Sequence, residues 1–406
     1  MTASPNKSNS RSRVSVGANS AGSNEIRPPR MVVGVTSAQT CLVLTGRLRA
    51  LQDTGFDVTL VSSPGELLEH TAAAEGVAAR AIPMKRGIAP FSDALAFFWL
   101  LVYLFRNRPE ITDFSTPKAG LLGNLAAWIA RVPHRVYTLR GLKLESSRGG
   151  KRAVLLWSEK LAASCAQVVL CNSQSLRSVA IQLGIAPAQK LRVLGYGSSN
   201  GVDAKRFHPE TCTGISAIRR ELKIAGSDPV LGFVGRLTRD KGIPELLVAF
   251  DQILELVPNC WLLLVGWFDR AEDALDHHWR EHILRHQRIW HTGFVKDTAP
   301  YYRAMDALVL ATHREGFPNV VLEAAASGVP AITTESTGAR DAVVPEVTGF
   351  LIPPGRPDAI TEAALQMIRD EERRKQMGVA ARAWVMEKYS KEHVLGLATE
   401  FYRELL

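Results

Sequence analysis

Two doubly wound α/β units joined by a glycine-rich hinge are the fold this sequence predicts. Short apolar runs alternate with helix-length amphipathic segments in two successive series. The stretch Gly195-Tyr-Gly-Ser-Ser-Asn-Gly-Val202 separates them, and 406 residues at 46% hydrophobic content suffice for two cores. Strands that alternate with crossover helices pair in parallel, and a parallel sheet needs helices on both faces.

The first unit is expected over residues 30–200. It opens on the strand Met31-Val-Val-Gly-Val-Thr36, an apolar-periodic helix from Cys41 to Asp53 and the buried strand Phe56-Asp-Val-Thr-Leu-Val61. Strands at 77–82, 110–114, 134–139, 167–171 and 190–194 then alternate with helices at 91–107, 117–131, 151–165 and 173–183. The second unit, 201–406, repeats the pattern. Its strands fall at 230–235, 261–265, 289–292, 307–311 and 329–333, its helices at 243–256, 271–286, 299–304 and 319–327. Helices from Pro357 onward close it. Ligands of such sheets sit beyond the carboxyl ends of the strands, so the cleft between the units is where chemistry is sought.

Residues 1–29, rich in Ser and Asn and without an apolar core, are expected to be a disordered tail and not a secretory signal. Five cations against Glu25 give residues 1–30 a net +4, which leaves +5 of the formal +9 for the folded part. That balance does not call for nucleic acid, but it suits anionic ligands or an acidic membrane surface. None of the five Cys forms a C-x-x-C pair, which argues against a zinc ribbon, a thioredoxin site or a disulfide framework and for a reducing compartment. No apolar run reaches the ~20 residues that span a bilayer.

Two motifs carry chemistry. Gly235-Arg-Leu-Thr-Arg-Asp-Lys-Gly242 follows the strand Leu231-Gly-Phe-Val234 directly. Its glycines let backbone approach a ligand, and Arg236 and Lys241 place two cations where a diphosphate would bind and leave. Read alone, it is equally a loop with solvated charges. Glu315-Gly-Phe-Pro-Asn-Val-Val-Leu-Glu323 follows the strand Ala307-Leu-Val-Leu-Ala311. Pro318 marks a helix start, so Glu315 lies on a loop while Asn319 and Glu323 share one helix face. A carboxylate amid Val321, Leu322 and Ala324 needs a partner, either a structural ion pair or a ligand.

The Glu, seven residues, Glu arrangement, continued by Ala-Ala-Ala-Ser-Gly-Val-Pro330, resembles the signature of retaining GT-B glycosyltransferases of family four. So do the Gly235–Gly242 loop, Asn200-Gly-Val-Asp203 and Thr348-Gly-Phe-Leu-Ile-Pro-Pro354, in order over residues 31–390. The block from Arg314 to Asp341 is most similar to bacterial enzymes that extend polyprenyl-diphosphate-linked saccharides. The resemblance implies a UDP-sugar as donor, a lipid-linked saccharide as acceptor, retention at the anomeric carbon, and no cofactor or metal, since Arg236 and Lys241 replace a cation. It places Glu315 against the donor sugar with the N–H groups of Gly316 and Phe317, Glu323 on the ribose, and Gly293, Phe294 and Val295 around the uracil. Gly235 and Asn319 belong to the same donor site. The expected setting is surface-polysaccharide assembly at the inner face of the cytoplasmic membrane. The same fold acting on a soluble small acceptor is the alternative.

Many members of the family carry a His where Arg140 stands here, after Tyr137-Thr-Leu139; a permanent cation replaces a switchable group, so no general-base role is transferred. Arg140 would contact a donor or acceptor phosphate, or form a structural ion pair. Lys118, at a helix start in Ser115-Thr-Pro-Lys-Ala-Gly120, is either a contact for acceptor phosphates or a surface lysine. His278-Trp-Arg-Glu-His282 formally matches the H-x-x-E-H zinc-peptidase pattern through His278, Glu281 and His282, with His286 one turn on. Its strongly polar helix reads instead as a solvated surface. Finally, Ala94-Leu-Ala-Phe-Phe-Trp-Leu-Leu-Val-Tyr-Leu-Phe105 is apolar all round and is expected as buried core. Its flanks Lys85, Arg86, Arg106 and Arg108 also fit a helix lying in a membrane interface.

Overall fold

The computed structural model describes residues 27–85, 87, 89–209, 215–269 and 273–406. Most of the expected tail (residues 1–26) and the flanking Arg86 lie outside the described residues. The first unit holds β1 (Arg30–Gly34), β2 (Asp57–Ser62), β3 (Ala78–Ala81), β4 (Ile111–Ser115), β5 (His134–Leu139), β6 (Val168–Cys171) and β7 (Leu191–Arg192). Its helices are α1 (Arg47–Asp53), α2 (Glu66–Glu75), α3 (Pro90–Asn107), α4 (Pro117–Ile129), α5 (Gly149–Cys165) and α6 (Gln174–Gln182). The second unit holds α7 (Ile215–Glu221), β8 (Val230–Val234), α8 (Ile243–Leu256), β9 (Trp261–Val265), α9 (His277–Arg285), β10 (Ile289–His291), α10 (Ala299–Tyr302), β11 (Ala307–Leu310), α11 (Asn319–Ala326), β12 (Ala331–Thr334) and β13 (Gly349–Ile352). The helices α12 (Pro357–Arg369), α13 (Glu371–Tyr389) and α14 (Lys391–Glu404) complete the chain.

Both sheets are wholly parallel, in the orders β3-β2-β1-β4-β5-β6-β7 and β10-β9-β8-β11-β12-β13. Strand order reverses at β1/β4 and at β8/β11, which opens a crevice at the carboxyl ends of each sheet. Gly120 and Gly123 let α4 lie on the sheet: a Cβ would come within 2.2 Å of Tyr137 and of Phe114, respectively. In the second unit α8 buries Ile243, Leu246, Leu247, Phe250 and Ile253, the stripe that its helical period predicts.

Four features differ from expectation. Gly46, at φ +83°, divides the segment expected as one helix into a 3₁₀ turn over Ala38–Leu44 and α1. Helix α2 and strand β13 were not anticipated. Helix α3 is not buried core all round: Ala96, Leu100 and Leu104 are buried and Phe97, Leu101 and Tyr103 pack partly against the same core, while Phe91, Leu95, Phe98, Trp99 and Phe105 are exposed. The inner row meets the sheet and α4, and among the described elements none covers the outer face. Lastly, α14 lies on the first unit although its sequence falls in the second. Phe401 and Tyr402 join Leu48, Leu51 and Phe56 in the first unit's core. The Tyr402 hydroxyl donates to Asp113 at 2.7 Å and accepts from the buried Arg47 guanidinium at 3.0 Å. The chain crosses between units at Val202 and again at Ser390, and the two crossings are hydrogen-bonded to each other (Val202 N to Tyr389 O and Lys391 N to Val202 O, both 2.9 Å).

Candidate active site

In the second unit, the loops after β8, β9 and β10 converge through glycine. Gly235 (φ +144°) and Gly266 (φ +152°) lie so close that a Cβ on Gly266 would fall 1.7 Å from the Gly235 carbonyl. Gly266 in turn bridges to Gly293, which has φ +70°. Phe294 beyond it is exposed, edge-on to Trp267 with ring centroids 5.5 Å apart, and Val295 is half-buried. These two indole and phenyl rings form an open aromatic shelf at the carboxyl edge of the sheet.

The cations of the β8 loop each meet a carboxylate. Lys241 ends a short 3₁₀ turn whose following residue, Gly242 (φ +72°), lies against the Ala311 carbonyl. Its ammonium forms an ion pair with Glu315, and both side chains are more than four-fifths buried. Arg236 is held by Asp269 at 2.5 Å. The loop that carries Glu315 is fixed from below: Thr312 donates to the Asp240 carbonyl at 3.2 Å, and Arg314 reaches the Asp240 carboxylate at 3.1 Å. Burial opposes ionisation of Asp240, but the Thr238 hydroxyl and the charges of Lys241 and Arg314 hold its carboxyl below the usual range. Glu315 N–H donates to the Thr337 carbonyl at 2.9 Å, whereas no acceptor among the described residues takes the N–H of Gly316 or Phe317. Those two donors stay available to an oxygen of a bound group.

The first unit meets this loop directly. A Cβ on Gly316 would lie 2.0 Å from the Arg140 carbonyl oxygen, and Gly141 (φ +124°) faces the Gly316 N–H. Around this contact Ser175 binds Asp341 and accepts from Gly338 N–H at 2.7 Å, Thr337 donates to Glu145 at 2.5 Å, and Arg314 donates to Ser146 at 3.0 Å. The Arg140 guanidinium donates to Ser115 and Ser199 at 3.0 and 2.9 Å. Its second terminal nitrogen is buried without a partner among the described residues. Burial, with Arg47 nearby, lowers its pKa to about 10. Arg140 therefore makes no ion pair at hydrogen-bond distance among the described residues.

Asn319 opens α11 and accepts from Ser198 at 3.4 Å. Phe317 is buried, with its ring 5.2 Å from that of Tyr389. Glu323, one turn beyond Asn319, accepts from the Tyr302 hydroxyl at 2.7 Å. Burial raises its carboxyl to about 7 despite that hydrogen bond. The structure thus brings Arg140, Lys241, Glu315, Gly316 and Phe317 together. Glu323 turns toward Tyr302, with no described contact to the Lys241–Glu315 pair. Lys118 pairs with Asp93 at 2.5 Å and binds the Gly87 carbonyl, which ties the start of α4 to α3 rather than to the loops of the second unit. The partners Asp269, Asp240, Tyr302 and Thr337 are set by tertiary approach and carry no local sequence signal.

The histidine motif does not converge as written. His278 is exposed against Trp279, and Glu281 pairs with Arg285. The groups that approach one another are His282, His286 and Asp251 of α8. His286 Nδ1 accepts from Arg288 N–H at 3.0 Å, so the ring proton sits on Nε2 and faces Asp251 as a donor.

Two parallel-sheet units whose facing strand ends carry glycine loops, paired cations and carboxylates make this a GT-B glycosyltransferase. Residues 214–384 match the model "Glycosyl transferases group 1" and residues 43–197 match "Glycosyl transferase 4-like domain". The chain is 36% identical over 372 residues to the capsular polysaccharide biosynthesis glycosyltransferase CapM of Staphylococcus aureus, covering 92% of this chain and 96% of that one. The chain belongs to the group 1 glycosyltransferases, whose relatives act in bacterial polysaccharide synthesis. It is also 27% identical over 321 residues to the UDP-Gal:alpha-D-GlcNAc-diphosphoundecaprenol alpha-1,3-galactosyltransferase of Escherichia coli, covering 78% of this chain and 81% of that one. Among solved structures it resembles Anabaena Alr3699/HepE in complex with UDP-glucose (TM-score 0.76, 20% identity, 93% of this chain and 100% of that one). Membership of this family displaces the zinc-peptidase reading.

Proposed function

We propose that this enzyme transfers a hexosyl group from a UDP-sugar to a polyprenyl-diphosphate-linked saccharide. The transfer would retain anomeric configuration, use no metal, and run at the inner face of the cytoplasmic membrane during surface-polysaccharide assembly. The observation that carries the reading is the Lys241–Glu315 pair, set between a glycine loop and the Arg140–Gly141 backbone of the facing unit. Both donor-loop cations are held by carboxylates, Arg236 by Asp269 and Lys241 by Glu315. An arriving diphosphate, with two negative charges and several acceptor oxygens, would draw these cations to itself. Glu315 is then released toward the sugar, where positive charge develops at the anomeric carbon as the diphosphate leaves.

The wall opposite supports retention. Beside Gly316 stands the Arg140 carbonyl, and Asp113, in the first unit's core, is taken up by Thr138 and Tyr402. Among the described residues no carboxylate there is free to act as the base that inversion requires, which favours assistance by the leaving diphosphate to attack on its own face. The lipid-linked acceptor is supported by the likeness to the galactosyltransferase named above, which covers 78% of this chain. Thermal unfolding with a panel of nucleotide sugars tests the donor: at 100 times its dissociation constant the right one adds about 2.7 kcal/mol. Stabilisation by GDP-sugars and by no UDP-sugar would overturn the donor. Product that fails to partition with the lipid acceptor, while a soluble saccharide is elongated, would overturn the acceptor.

A further inference from the structure

Helices α3, α4 and α5 are successive crossovers that pack side by side, α3 on α4 and α4 on α5. Their outward residues are unusual in two respects. Large apolar and aromatic side chains stand in solvent: Phe91 is 94% exposed, Phe98 54%, Trp99 44%, Trp128 55% and Trp157 63%. Scattered apolar residues on a surface are ordinary, but a run on one helix with further tryptophans on its neighbours is not. The second respect is charge. The three helices contain two carboxylates, and both are engaged inward, Asp93 with Lys118 and Glu159 with the Tyr137 hydroxyl. The exposed charges are therefore all positive, and they include Arg106, Arg152 and Lys160.

Between Trp99 and Tyr103 lies an open pocket of about 270 Å³ flanked by Arg80 and Arg106. Arg80 lies over the Tyr103 ring at 5.7 Å, and neither arginine has a carboxylate partner among the described residues. We infer that this face docks the protein on an anionic lipid bilayer, with the aromatic side chains at headgroup depth and Arg80 and Arg106 on lipid phosphates. Charge selects this occupant over a second copy of the chain, because a two-fold contact would set the same uncompensated cations against themselves. No helix of the described residues is long and apolar enough to cross a membrane, so contact here is peripheral. The amino-terminal end of α3 is tied to that of α4, which starts at the carboxyl end of β4. Docking through this face would keep the first unit at the surface that holds the lipid-linked acceptor, and to that extent it rests on the reading above.

Co-sedimentation of the full chain with phosphatidylcholine vesicles, with and without phosphatidylglycerol, tests this independently of turnover. Failure to bind therefore overturns the docking face and leaves the donor chemistry standing, while binding by an enzyme that uses no lipid acceptor does the reverse. Binding is expected to the anionic vesicles alone and to weaken with added salt. Each cation near such a surface contributes about fivefold in affinity, so the pair Arg80→Gln and Arg106→Gln should weaken binding about 25-fold. Phe98→Ser with Trp99→Ser should also weaken it, with circular dichroism and Tm unchanged because both side chains are exposed. Equal binding to neutral vesicles, indifference to both pairs of changes, or a dimer that the Phe98/Trp99 variant dissolves would overturn the inference. The last result would make the face a contact between copies.

Discussion

Gly316→Ala perturbs a place where the two units touch backbone to backbone at the candidate site. The added Cβ would sit 2.0 Å from the Arg140 carbonyl oxygen and 2.4 Å from its carbon, and real Cβ atoms essentially never approach closer than 3.0 Å. The facing backbone must therefore retreat by about 1 Å. It has no flexible side chain to yield, because every atom involved is main chain. The fold of each unit is untouched, since Gly316 belongs to a loop after β11 and Arg140 to the end of β5. The β11 loop and the opposite wall are then held about 1 Å farther apart, and a misplacement of that size costs roughly 100-fold in rate, about 2.7 kcal/mol. Steady-state UDP release should show kcat/KM reduced about 100-fold, with circular dichroism unchanged. Gly396→Ala, a helical position with nothing within 4 Å, is the control; it should keep full activity and gain up to about 1 kcal/mol of stability. Activity of Gly316→Ala within about threefold of the parent would refute the argument, because it would mean that catalysis does not use this approach.

Glu315→Gln should mainly lower kcat, by about 10²–10³, since its contact strengthens only as charge develops; an effect confined to KM would reverse the assignment. Glu323→Gln should raise the donor KM by a loss of about 1–3 kcal/mol. In the parent, donor affinity should climb as pH passes about 7 and Glu323 ionises into a better acceptor for ribose hydroxyls, and the variant should lack that rise. Burial likewise lifts Glu159 to about 7, above its ordinary 4.5. The native state thus keeps a proton that the unfolded chain has already released, and stability should fall as pH rises from about 4.5 to 7, by up to about 3 kcal/mol from this group. Urea midpoints across that range should show the slope, and Glu159→Gln should flatten it. Transfer should survive EDTA, and NMR of the product's anomeric proton should show the donor's configuration; Mg²⁺-restored activity or inversion would contradict the proposed chemistry.

What was legible in the sequence was periodic. The strand Trp261–Val265, the helix Ile243–Leu256 and both sheets follow from alternation, because burial on both faces demands continuous apolar strands. Helix α3 shows the limit. Its composition is apolar all round, but burial depends on what covers each side, and here the row Ala96, Leu100, Leu104 and its flanks Phe97 and Leu101 are covered while Leu95, Phe98 and Trp99 are not. The site divides in the same way. Glu315 and Lys241 stand out by motif, but their pairing spans 74 positions and rests on Gly242 closing against Ala311. Lys118 reads from the sequence as either a phosphate contact at a helix start or a surface lysine, yet its partner Asp93 sits 25 residues earlier on another helix. Such partners are products of topology, and no local pattern encodes them.

The two hydrogen-bonded crossings at Val202 and Ser390 make the second unit topologically an insert within the first. Residues 203–389 leave and rejoin at one point, so they are the segment to excise as an autonomous fragment or to exchange with that of a relative. Residues 27–201 alone would lack Phe401 and Tyr402 and would leave the Arg47–Asp113 pair without its hydroxyl. A graft made at 202 and 390 would carry the second unit whole into a foreign first unit. A single splice at 202 would strand α14 on the wrong partner.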